Sequence, residues 1–366
     1  MSKIISIGTS VPEYRSKQTN ILQYMQEAYK SESASRKLKV LSHHSGIDTR
    51  YSVVPDFNNG NSPDNFFLKN QPPPGIEKRL HLYRKNAVPL AIEAIHKALH
   101  KLNTSVKAFV PTHLITVSCT GLYAPGPGTE IIEQLYLPND IFHTSINFMG
   151  CNAAFPALRI ADMITKTDEK AKVLVVCVEL CTLHFQPKDD NDNLLSNTIF
   201  GDGAAAVVVV SDALAKQNNL RGFAINGFYS LLLGRGKDLM AWNITPINFE
   251  MVLDARVPDF IGEEANDILT KAGQHYNISP SSITKWAIHP GGKKILDVVK
   301  SQYALSDIHL QHSYKVLAEY GNMSSTTILF VLNEILESEL KPNDTIFALG
   351  FGPGISIETA LFTYNE

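Results

Sequence analysis

Residues 150–181 read GCNAAFPALRIADMITKTDEKAKVLVVCVELC. The first part places apolar residues at helical spacing from Ala153 to Ile164, which predicts a helix running from just after Cys151 to about Lys166. A short polar hinge follows. Lys172 to Cys181 is then a β-branched, almost uniformly apolar run, which predicts a buried strand. The same alternation extends in both directions. Upstream, a helix is expected over Ala87–Lys101 and a strand over His113–Cys119, followed by the turn-rich segment Thr120–Gly128. Downstream, GDGAAAVVVV (201–210) reads as a turn into another buried strand. The second half repeats the theme. It has a helix over Glu263–His275, a strand over Lys285–His289, a helix over Lys293–Tyr303, a helix after Asn322, and strands at Thr345–Gly350 and Ile355–Phe362. Such alternation predicts a layered α/β fold. Polar Ser211–Asn219 is the candidate junction between halves, and Pro55–Gly75 reads as an exposed loop.

Composition narrows the function. A chain of 366 residues buries a large core, as one domain or two packed halves. A net charge of −3 with no basic run argues against nucleic acid as a partner. The apolar stretch in the first ten residues is too short for a signal peptide. The longest apolar run, Ala204–Val210, is too short to span a bilayer, so no integral membrane segment is expected. The four cysteines, Cys119, Cys151, Cys177 and Cys181, are expected as free thiols in the cytoplasm. Cys177, Cys181 and His184 have a spacing that suggests zinc, but they sit in a strand-like run without the tight loop of a structural zinc site. No metal is expected there. GFGPG (350–354) resembles a phosphate loop, yet a strand follows it rather than a helix, so it is expected to form a pocket wall.

Three short segments carry chemistry: NFMGCNAAF (147–155), WAIHPGG (286–292) and YGNMSS (320–325). They supply a thiol, an imidazole and a carboxamide. Cys151 opens a helix, whose N-terminus favours a thiolate; taken alone it is equally a buried inert cysteine. His289 closes a strand before a sharp loop, where α/β proteins place sites; alone it reads as a structural histidine. Asn322 alone reads as a helix cap. Together the trio suits a thioester, because cysteine accepts an acyl group while His and Asn donate to a developing oxyanion.

In order and context, GCNAA (150–154), IHPGGKKILD (288–297) and EYGNMSS (319–325) resemble the motifs of the type III polyketide synthases, the chalcone-synthase-like branch of the thiolase-fold superfamily. FGDGAAA (200–206) and GFGPG (350–354) are similar to two further signatures, and FEMVLDARVP (249–258) is closer to bacterial members. The resemblance runs over nearly the whole chain. It implies a duplicated five-layer αβαβα fold, with an N-terminal half over residues 1–215 carrying Cys151 and a C-terminal half over 216–366 carrying His289 and Asn322. It implies a homodimer, malonyl-CoA as extender, a starter delivered as acyl-CoA or on an acyl carrier protein, and no cofactor. Paired with His289, Cys151 is expected to have a lowered thiol pKa. Phe200 takes the gatekeeper position, and Cys119, Cys181, His184, Met251 and Ser324 are expected to line the growth cavity. Ala124 stands where plant enzymes insert a neighbouring subunit's Met, and with Met251 it implies room for an elongated acyl starter and alkylpyrone or alkylresorcinol-type products. Of three basic positions that hold coenzyme A in plant relatives, only Lys37 keeps a charge; Val40 and His44 replace the others. The alternatives are a single-condensation ketoacyl synthase III of the same fold and a catalytically silent thiolase-fold scaffold.

Overall fold

The computed structural model describes residues 1–58, 64–67 and 71–365. One sheet carries the architecture. Its strands are β1 (Ser2–Ser10), β2 (His113–Ser118), β3 (Phe142–Asn147), β4 (Lys172–Leu180), β5 (Asp202–Ser211), β6 (Gly222–Leu232), β7 (Lys285–Ile288), β8 (Thr345–Gly352) and β9 (Ser356–Asn365). The spatial order is β7-β8-β9-β6-β1-β5-β4-β2-β3. Reading outward from β1 gives β5-β4-β2-β3, and from β6 gives β9-β8-β7, so the two ends follow one pattern. They join through a short antiparallel ladder, Ser2↔Ile225 to Ile4↔Phe223.

The main helices packed on the sheet are α1 (Ile76–Lys101), α2 (Ala154–Thr167), α3 (Val257–Tyr276), α4 (Lys293–Gln302), α5 (Asp307–Tyr320) and α6 (Thr327–Leu336). Three apolar cores separate five layers. One lies between α1 and the first half's strands, through Ala87, Ala91 and Ala94 against Leu174, Val176 and Ala206. The central core packs α2 and α6 between both sets of strands, with Phe155 and Leu158 beside Leu329 and Phe362. The third holds α3, α4 and α5 against β7 and β8. This is the thiolase-like αβαβα arrangement. Helix α6 is apolar on nearly every face because protein surrounds it. Strand β5 is buried at all ten positions for the same reason. The layers close tightly at Gly8, where a Cβ would lie 2.3 Å from the Ala94 carbonyl oxygen, so glycine is required for β1 to meet α1.

Several expectations need correction. Helix α1 begins at Ile76, eleven residues before the predicted start at Ala87. Its first turns bury Arg79 and Tyr83, which an apolar-periodicity reading passes over. Arg79 donates to the Phe185 carbonyl at 3.0 Å and Tyr83 to Ser118 Oγ at 2.7 Å. Helix α3 likewise starts earlier, at Val257 rather than Glu263. The Pro55–Gly75 stretch is not simply an exposed loop. Pro55–Phe57 forms a 3₁₀ turn, and Asp56, Phe57, Asn65 and Phe67 are buried. Residues 59–63 and 68–70 lie outside the described residues. Strands β1 and β6, helix α5 and the hairpin Met240–Ile244/Phe249–Leu253 carried no sequence signal that we recognised. In α5 the inward positions are Leu310, Ser313, Val316 and Leu317, and buried Ser313 interrupts the apolar stripe.

Candidate active site

Cys151 sits in the turn between β3 and α2, three residues before the helix begins. Gly150 makes that turn possible. Its φ is +90°, and a Cβ there would fall 2.0 Å from Pro353 Cδ in the loop after β8. The Gly150 N–H donates to Cys119 Sγ at 3.0 Å. Asn152 Nδ2 donates to Ser356 Oγ at 2.9 Å, which fastens the nucleophile turn to the second half.

Asn322 follows α5 and is held by backbone. Its N–H donates to the Ile199 carbonyl at 2.9 Å, and its carbonyl accepts from Gly201 N–H at 2.9 Å. These bonds place Phe200 beside it in an isolated parallel bridge. Asn322 Nδ2 donates to the Gly291 carbonyl at 3.2 Å, and Oδ1 accepts from Ser324 N–H at 2.8 Å. Asn322 is therefore not simply a helix cap: it spans the loop after β7 and the turn before α6. His289 ends β7, its N–H donating to the Leu349 carbonyl at 2.8 Å. The ring is 1 % exposed, and neither Nδ1 nor Nε2 has a hydrogen-bond partner. Leaving buried polar atoms unpartnered costs about 1–3 kcal/mol each, so such a ring is marked for a role in binding or catalysis.

Electrostatics bear on the expected thiolate. Burial pushes the Cys151 thiol up to about 11, although hydrogen bonding from the Ser324 and Asn322 side chains pulls it down. Burial alone holds His289 down to about 3. Burial therefore disfavours either charge on its own. Proton transfer from thiol to ring would create both charges at once, each stabilising the other.

A cavity opens beside Cys151. Cys119, Cys181, His184, Phe200, Met251 and Ser324 all line it, with Arg50, Phe185, Trp242 and Phe249. Ser324 lines the cavity, whereas His289 and Asn322 are not among its lining residues. Pro353 of the GFGPG segment forms part of the wall, as its strand-leading pattern predicts. His184 stacks on Phe249 with ring centroids 4.5 Å apart. Its Nε2 is 2.7 Å from the Thr120 carbonyl and its Nδ1 accepts from Phe249 N–H at 3.0 Å. Both nitrogens are engaged in fixing the wall. Ala124 is exposed and does not line the chain's own cavity. Lys37 is also exposed, on the helix Glu32–His44, and donates to Asn191 Oδ1 at 3.1 Å.

Two site features escaped the sequence reading. Glu179 lies fully buried in β4, where burial raises its carboxyl pKa. It accepts from Cys119 N–H at 3.0 Å and Thr120 Oγ1 at 2.8 Å, and also from Ser325 Oγ. A lone Glu inside an apolar strand is the signal that would have found it. Arg50, from a polar segment with no motif, is equally buried. Among the described residues no helix is long and apolar enough to cross a membrane.

A buried cysteine at a helix entrance, together with a buried His and an Asn from the second half of a thiolase-like fold, defines a condensing-enzyme class. Comparison with known proteins narrows it. The family described as chalcone and stilbene synthases, N-terminal domain, matches residues 1–213, and its C-terminal domain matches residues 230–364. The chain belongs to this family of type III polyketide synthases, which are acyltransferase-type condensing enzymes. It is 28 % identical over 361 residues to the alpha-pyrone synthesis polyketide synthase-like Pks18 of Mycobacterium tuberculosis, covering 98 % of this chain and 90 % of that one. Among solved structures it resembles PKS-I of the brown alga Ectocarpus siliculosus, with a TM-score of 0.90, 27 % identity, and 99 % and 98 % of the two chains covered. It also resembles the C-terminal type III domain of Steely1 from Dictyostelium, with a TM-score of 0.88, 26 % identity, and 100 % and 99 % covered. The single-condensation alternative is not favoured by these matches.

Proposed function

We propose that Cys151, His289 and Asn322 carry out repeated decarboxylative condensation of malonyl-CoA onto an acyl starter, followed by cyclisation. The observation that carries this reading is the buried, unpartnered His289 ring, linked through Gly291 to the Asn322 amide, together with a cysteine that opens onto a mostly apolar cavity. Cys151 transfers its proton to His289 and attacks the starter thioester. The starter becomes the Cys151 acyl thioester, and the carrier leaves as a thiol with the proton returned. The malonyl thioester oxygen then accepts from His289 N–H and from the second Asn322 Nδ2 hydrogen. Cleavage of the C–C bond sends its electron pair to the α-carbon and releases CO2, and the enolate is held by the two donors. Phe200 excludes water from the departing carboxylate. The carbanion attacks acyl-Cys151; a C–C bond forms, the C–S bond breaks and the thiolate is restored. A neutral imidazole suits the donor step, since it still offers one N–H.

The largely apolar lining and the α-pyrone synthesis for which Pks18 is named support medium or long fatty acyl starters and alkylpyrone or alkylresorcinol-type products. The chain acts as a homodimer in the cytoplasm and needs no cofactor. Four free cysteines are compatible with a reducing compartment. Leu122, Ala124, Phe142 and Met149 are all exposed, which supports a second copy covering part of this surface. Exposed Val40, at one of the positions where the resemblance implies a basic residue, supports delivery of the starter by an acyl carrier protein as well as by acyl-CoA. The test is incubation with malonyl-CoA and a panel of acyl-CoA and acyl-carrier-protein starters, followed by mass spectrometry. Products with several added ketide units support the reading; a single β-keto product from every starter refutes it.

A further inference from the structure

We infer that Gln18 and Arg50 form a clamp that positions Phe200 and Asn322, and so sets the rate of malonyl decarboxylation independently of starter loading. This rests on Asn322 acting as a donor to the malonyl thioester oxygen. The clamp is built from groups far apart in sequence. Arg50 Nη1 donates to the Phe200 carbonyl and Nε donates to Gln18 Oε1 at 3.1 Å. Gln18 Nε2 in turn donates to the Thr198 carbonyl at 2.9 Å. The pair thus grips the backbone on both sides of Ile199, whose carbonyl accepts from Asn322 N–H. From below, the Arg50 stem packs under the two glycines that flank the site. A Cβ on Gly321 would lie 2.9 Å from Arg50 Cδ and Cγ, and one on Gly201 3.6 Å from Arg50 Cβ. Gly321 precedes Asn322 and Gly201 follows Phe200, so both segments pack on the same arginine side chain.

Keeping that cation here is costly. Arg50 is 5 % exposed, and burial lowers its pKa to about 9 despite the nearby Asp202 charge. Nη2 has no hydrogen-bond partner. An apolar side chain would fill the space at less cost, unless the fork geometry is needed. Only a planar guanidinium reaches a side-chain oxygen and a backbone carbonyl in fixed directions; a lysine ammonium is a single point donor. Arg50 is a positioning residue in this scheme, because it acts through Phe200 and Asn322.

The test uses the full chain and two assays. One is acylation of Cys151 by starter, read by intact mass. The other is CO2 release from malonyl-CoA without starter. Arg50→Met is expected to lower CO2 release by about 10²-fold, the usual effect of an ångström-scale misplacement, and to lower acylation far less, since Arg50 also lines the cavity. Gln18→Ala should give the same split to a smaller extent, and it decides the matter if Arg50→Met does not fold. Asn322→Ala is the reference. Equal loss of both activities in the clamp variants marks a merely structural role and overturns the inference. So does wild-type CO2 release in both variants when Asn322→Ala has lost it. Wild-type CO2 release in Asn322→Ala overturns the reading of Asn322 and the inference with it.

Discussion

Replacing His289 with Ala tests the coupled ionisation of the site. In the structure burial places the Cys151 thiol at about 11 with no counter-charge. Without His289 that value has nothing to lower it, so at pH 7 only about 10⁻⁴ of the thiol is ionised. With the ring able to take the proton, a Cys–His pair brings the thiol to about 7 or below, so at least about half is thiolate. The fraction falls about 10³–10⁴-fold on substitution. The more basic thiolate is intrinsically more reactive, with a Brønsted coefficient of about 0.4–0.5, which returns about 10²-fold over four pKa units. The net expectation is alkylation by iodoacetamide about 10²-fold slower at pH 7, with the rate rising steeply in alkaline solution. The assay is peptide-resolved mass spectrometry across pH. Cys177, wholly buried in β4, serves as the reporter that the core is intact. Cys151 alkylated at the wild-type rate in His289→Ala, with an unchanged pH profile, would refute the coupling.

The remaining expectations are these. Cys151→Ala abolishes starter loading and product but leaves measurable CO2 release from malonyl-CoA, since His289 and Asn322 remain; product at wild-type levels would remove Cys151 from its role. Cys119→Trp fills the cavity wall and shifts preference to shorter starters, read by competition between acyl-CoAs. Ala124→Trp does the same only in the dimer, because Ala124 does not line its own cavity. Gly150→Ala forces a non-glycine into φ +90° against Pro353; a loss of about 2–4 kcal/mol in urea unfolding is expected, together with loss of activity. For His184, burial depresses the folded pKa to about 3. The unfolded state therefore takes up the proton first, and this residue's contribution to stability declines as pH falls below about 6.5. The stability difference between wild type and His184→Gln should drop by about 1.4 kcal/mol per pH unit between pH 6.5 and 4.5; a constant difference would show that His184 is not buried neutral.

The sequence by itself determined the alternation of helix and strand, and hence the layered α/β class, because the periods of helix α2 and strands β4 and β5 are unambiguous over single windows. It also determined Cys151, His289 and Asn322 as candidates, since each sits in a short local motif. The structure alone decided what those side chains touch. Helix α1 starts early because its inward positions are Arg79 and Tyr83, whose burial is made possible by the Phe185 carbonyl and Ser118. Glu179 and Arg50 became visible as site residues only once Ser325, Cys119, Gln18 and Phe200 were brought against them. Ionisation depends on the same packing. A helix N-terminus read from sequence argues for a thiolate, while the burial of Cys151 and His289 opposes either charge alone; desolvation acts through everything packed around a group, and no linear motif records that packing.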